Sequence, residues 1–119
     1  MGKVTKKTAK SAPSRKGVSP SGIRLALAQV NGLVGGFEAN AEMVKSPCAQ
    51  ARKMGADVVL FPELMLTGYP PEDLLFKKSF LEECKKTLKK CAPYTQGLTA
   101  VIGFAEQKGK HLYNSAALM

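Results

Sequence analysis

The chain has no tryptophan, a single histidine and only three cysteines in its 119 residues, and each shortage closes off a class of chemistry. With His111 as the one imidazole and no CxxC pair, the familiar zinc arrangements cannot be assembled, so no metal site is expected. An odd number of cysteines (Cys48, Cys84, Cys91) argues against a disulfide framework and for a reducing compartment, the cytoplasm. No apolar run approaches the roughly 20 residues that a membrane-spanning helix needs. Neither GxGxxG nor GxxxxGK[ST] occurs, which leaves no recognisable glycine loop for a nucleotide. Acidic residues are missing from residues 1–22 altogether.

That last absence explains the charge. The net charge is +9, but six of the 18 basic residues lie in residues 1–22, and the remainder sets twelve basic groups against nine acidic ones, or +3. The segment MGKVTKKTAKSAPSRKGVSPSG has almost no large apolar residue, so it cannot bury enough surface to offset its ordering entropy and is expected to be a disordered basic tail. It reads as a solvated tail ahead of a transit peptide or a nucleic-acid arm, since it has one arginine and no clear amphipathic face.

What remains is globular in composition, with 45% hydrophobic residues overall and room for one domain. Residues 23–31 (IRLALAQVN) alternate and read as a first strand. Residues 37–54 carry Ala41, Val44, Cys48 and Ala51 on one helical face, although Pro47 predicts a break near Ser46. Gly55 reads as the left-handed cap, and Val58 to Phe61 as a strand buried on both faces. Residues 73–92 place Phe80, Leu81, Cys84, Leu88 and Cys91 on one face of a second helix and a lysine-rich set on the other, a solvated face with Glu82 paired to Lys86. Residues 98–106 and 111–119 read as two further strands joined at Lys108-Gly109, giving an α/β fold in the order β-α-β-α-β-β.

One carboxylate stands out. Glu63 follows the strand and Pro62, placing it at the carboxyl end of a central strand, where open α/β sheets collect ligands. Its neighbours Leu64, Met65 and Leu66 are expected to desolvate it and favour its neutral form, as suits a general base. Glu72 and Asp73 follow two prolines and read as a first-turn charge and a helix N-cap rather than as a second acid site. Cys48, Cys84 and Cys91 read as small buried hydrophobes, and His111 as structural or exposed.

Motifs add a resemblance to this reading. AQVN at residues 28–31, Asn40, GADVVLFPE at 55–63 and YNSAAL at 113–118 make residues 23–119 similar to the beginning of a nitrilase (carbon–nitrogen hydrolase) domain. TGYPPEDLL at 67–75 resembles one branch of that superfamily, the glutaminase domains of glutamine-dependent NAD synthetases. The resemblance implies an α-β-β-α sandwich, present here only in part, with a catalytic glutamate, lysine and cysteine. Glu63 matches the glutamate, and Tyr69 falls in the loop bordering the glutamine pocket. The lysine and the nucleophilic cysteine have no counterpart before Met119, and none of the three cysteines stands in a matching motif. The resemblance therefore implies an amino-terminal, truncated portion of the domain, inactive alone. It implies no cofactor in this chain, ATP and magnesium for a separate synthetase domain that would be its partner, glutamine as substrate and a homo-oligomer. Two other readings stay open: part of a stand-alone amidase of this superfamily, and a non-catalytic interaction module using the basic tail.

Overall fold

Three parallel strands and one antiparallel strand form a single sheet in the order β1-β2-β3-β4, which is also their order in the chain. The computed structural model describes residues 22–119, so the tail expected over residues 1–22 lies almost wholly outside the described residues. The elements are β1 (Leu25–Leu27), α1 (Phe37–Lys53), β2 (Val58–Leu60), α2 (Lys78–Cys91), β3 (Thr99–Lys108) and β4 (His111–Leu118), with short 3-10 turns at Glu72–Phe76 and Ala92–Thr95. Each helix is the crossover between two parallel strands, and β3 and β4 are a hairpin.

The two faces of the sheet are unlike. Ala26, Val59, Ala100, Ile102 and Ala117 point to the helices and pack with Val44, Cys48 and Ala51 of α1 and Cys84 and Cys91 of α2 in one core. Phe37 and Phe80 meet edge to face at 5.0 Å where the helices touch. On the other face, Leu27, Leu60, Val101 and Leu118 stand side by side in one row across all four strands. That row is open: Leu27 is 65% and Leu118 74% exposed. A sheet apolar on both faces but covered on one is half of a layered architecture.

Several expectations need correction. Helix α1 runs unbroken through Pro47, because Val44, Cys48 and Ala51 must all face the core, and their burial outweighs the lost hydrogen bond. Ser46, where the break was expected, lies inside the helix and accepts a bond from Gln50 Nε2 at 3.1 Å. The C-terminus of α1 is as expected: Gly55 (φ +68°) donates to Arg52 O and Ala56 to Ala51 O, the paired bonds of a Schellman cap. Strand β1 is three residues rather than nine, since its only neighbour β2 is equally short. Helix α2 starts at Lys78, not Asp73, because Lys77 is extended (φ −90°, ψ 115°) and separates it from the preceding 3-10 turn. Asp73 accordingly caps no helix. The α2 lysines are solvated, but the pairs are Lys78–Glu82 at 3.7 Å and Lys86–Glu83 at 3.3 Å rather than Glu82 with Lys86.

Candidate active site

Strand β2 delivers Glu63, and the next strand fixes where it stops. Phe61 N donates to Val101 O at 3.0 Å, after which Pro62 ends the ladder and the chain folds back over β3. It can do so because residue 103 is glycine. A Cβ there would lie 2.7 Å from both Pro62 O and Leu64 N and 3.1 Å from Glu63 C, so the peptide carrying Glu63 rests directly on the β3 backbone. Leu64 holds a left-handed conformation (φ +49°), a strained state for a leucine that costs on the order of 1–3 kcal/mol. The strain is repaid by packing, as Leu64, Met65 and Leu66 all turn into the core.

That turn overrides the expected environment of the carboxylate. Met65 and Leu66 turn into the main core and Leu64 packs on Leu81 and Ala105, and the Glu63 side chain is exposed to solvent rather than desolvated by them. Its partner comes from β4. Asn114 Nδ2 donates to Glu63 Oε1 at 2.5 Å. Asn114 faces the open side of the sheet in the same alternation as Leu118, and it pairs with Ala105, two residues from Gly103. Beside this contact lies a cleft of about 220 Å³ lined by Leu64, Leu75, Ala105, Leu112, Tyr113 and Asn114.

A second asparagine holds the loops behind the site. Asn40, fully buried in α1, accepts from Leu33 N at 2.8 Å and donates to Leu33 O at 2.8 Å and Leu66 O at 3.0 Å. It joins the β1–α1 loop to the segment after Glu63. Gly68 (φ +75°) completes the seam, because a Cβ there would stand 2.5 Å from Leu33 C.

The remaining candidates fall elsewhere. Tyr69 is 65% exposed on the 67–75 loop, and among the described residues no hydrogen bond links it to Glu63 or Asn114. Cys48, Cys84 and Cys91 are free thiols in the core under the helices, on the side of the sheet away from Asn114. Burial raises all three pKa values: Arg52 partly offsets this at Cys48 and a backbone hydrogen bond from Ala105 at Cys84, while Cys91, with Cys48 nearby, is pushed up to about 11. None is a nucleophile presented to Glu63. His111 is exposed, its ring 6.4 Å from that of Tyr113. Among the described residues no group of three or more His, Cys, Asp or Glu is placed to hold a metal ion, and no helix is long and apolar enough to cross a membrane. A larger cleft of about 570 Å³, lined by Arg52, Asp57 and Gly97 among others, lies at the opposite ends of the strands and has no bearing on Glu63.

Sequence reasoning singled out Glu63 as a candidate but did not give its surroundings. The contact with Asn114 spans 51 residues and depends on hairpin register. Gly103 inside an otherwise apolar strand was a readable signal of close backbone approach.

Comparison with known proteins bears on the family and the fold. Over 98 residues the chain is 44% identical to a glutamine-dependent NAD(+) synthetase of Xylella fastidiosa, and over 99 residues 41% identical to one of Thermotoga maritima. The match takes in 82% of this chain in each case, but only 18% and 17% of those proteins, so the chain spans under a fifth of the relatives' length. Among solved structures, a glutamine-dependent NAD(+) synthetase from Cytophaga hutchinsonii superposes with a TM-score of 0.77 at 25% identity, covering 81% of this chain and 17% of that one. An amidase from Nesterenkonia sp. shares the fold, with a TM-score of 0.68 at 23% identity over 77% of this chain and 35% of the amidase. The half-covered sheet is thus part of a nitrilase-type sandwich. The carbon-nitrogen hydrolase family model matches residues 24–119, and the chain belongs to that family.

Proposed function

We propose that residues 22–119 furnish the general base and one wall of a glutamine amide-hydrolysing site of the NAD synthetase kind. The observation that carries this reading is the carboxylate of Glu63, held at the end of a central strand by Gly103 beneath it and Asn114 beside it. Identity above 40% to glutamine-dependent NAD synthetases supports the branch.

In this reading Glu63 takes the proton of a cysteine thiol, and the thiolate attacks the side-chain amide carbon of glutamine. The tetrahedral intermediate needs a cation near its oxygen, the role of the family's lysine. Glu63 then returns the proton to the departing nitrogen, which leaves as ammonia, and activates the water that cleaves the thioester to glutamate. The ammonia passes to a synthetase domain that amidates adenylated nicotinic acid adenine dinucleotide. ATP and magnesium serve that second domain. A base without its thiol has nothing to activate, so the 119-residue chain by itself releases no glutamate. Tyr69, on an exposed loop, borders the glutamine pocket in this reading.

The test is a hybrid: the Xylella fastidiosa synthetase with its matching region replaced by residues 22–119. Glutamine-driven NAD formation by the hybrid supports the proposal. A hybrid that makes NAD from added ammonia but hydrolyses no glutamine contradicts it.

A further inference from the structure

We infer that Asn114 is a positioning residue for the Glu63 carboxylate, setting which oxygen meets the thiol; this rests on the reading of Glu63 as the base.

Three observations carry the inference. The Asn114 amide donates to Oε1 alone, which leaves Oε2 as the oxygen that takes a proton. The backbone of Glu63 is already fixed by its contact with Gly103, so the side-chain torsions are what remain to be set. Asn114 lies diagonally across the hairpin from Gly103, whose direct partner is Ala116, and a diagonal neighbour is within reach of a long side chain.

The chemistry explains why an amide suits this place. A second carboxylate at this position would repel the first. A neutral donor on a strand orients the group without competing for the proton. The cleft beyond Asn114 is otherwise lined by Leu64, Leu75, Ala105, Leu112 and Tyr113, so the amide's partner is Glu63 rather than another polar wall.

The experiment is a double-mutant cycle in the hybrid synthetase carrying residues 22–119. Asn114→Ala should lower kcat for glutamine hydrolysis roughly 10- to 100-fold, the scale on which misplacing a reacting group by an ångström acts, with KM within about threefold. NAD formation from added ammonia should be unchanged. In a Glu63→Gln background the same change should cost nothing further, because the group being positioned is gone. Asn114→Ser, which keeps a donor, should recover part of the loss. Equal effects in both backgrounds, or parallel loss of the glutamine- and ammonia-driven activities in both the Ala and Ser variants, would overturn the inference and leave Glu63 as base. Full glutamine hydrolysis by Glu63→Gln alone would overturn the underlying reading instead.

Discussion

Glu63 accepts a hydrogen bond from Asn114 across the open face of the sheet, joining the end of β2 to the middle of β4 although β3 lies between them. The bond is possible because the chain after β2 crosses over β3 at the one position, Gly103, where no side chain stands in its way. A parallel strand, a glycine and a hairpin register together place one carboxylate.

Gly103→Ala should therefore be disproportionate to its size. The new Cβ would meet two backbone atoms at 2.7 Å, neither able to rotate aside. We expect a loss of about 1–3 kcal/mol, the range for overpacking, read as the shift in urea midpoint. In the hybrid synthetase, glutamine hydrolysis should fall while ammonia-driven synthesis persists. Wild-type stability and glutaminase activity in this variant would show that the close approach is unimportant.

Asn40→Ala removes three hydrogen bonds at a fully buried site, leaving Leu33 N, Leu33 O and Leu66 O without their partner. The expected cost is roughly 3 kcal/mol, about one for each bond. Asn40→Asp should do no better, since it keeps the acceptor and discards both donations. A denaturation series in which either variant lost under about 1 kcal/mol would contradict the clamp.

The buried thiols predict a direction with pH. Cys91 titrates near 11 when folded against an ordinary 9.0, so above pH 9 the unfolded chain ionises first and binds fewer protons than the folded one. Stability is full below pH 9 and falls as the pH rises toward 11, by about 2–3 kcal/mol from this group alone. Unfolding measured at intervals over that window, with and without Cys91→Ala, checks it: the variant should show the shallower decline.

How much of this was readable from the sequence follows from the range of the interactions. Helix α1 was legible because Ala41, Val44, Cys48 and Ala51 repeat at helical spacing, and only tertiary burial decided that Pro47 would not break it. The start of α2 was misread because Asp73 after two prolines fits a helix N-cap, whereas Glu72–Phe76 is a separate 3-10 turn and Lys77 is extended. Glu63 was singled out as a candidate through its local context, a short apolar strand followed by proline. Its exposure was not, since the direction taken by Leu64, Met65 and Leu66 depends on a left-handed leucine, which composition does not announce. Asn114 was visible only as part of a motif, and its role required the register of β3 against β4.

The open face makes a prediction about the chain alone. Leu27, Leu60, Val101 and Leu118 form an apolar row that none of the described residues covers, so the 119-residue chain should bind a dye specific for exposed apolar surface and self-associate. Replacing Leu27 and Leu118 together by lysine should reduce both effects. Sedimentation as a clean monomer without dye binding would show that the face needs no cover.

The most direct test of the central claim is Glu63→Gln in the hybrid synthetase, with NAD formation measured from glutamine and from added ammonia in the same preparation. If Glu63 is the base, the glutamine-driven rate falls by about 10²- to 10⁴-fold, the usual scale for a lost acid–base group, and the ammonia-driven rate stays within about twofold. Equal loss of both rates would make Glu63 a structural residue and contradict the account.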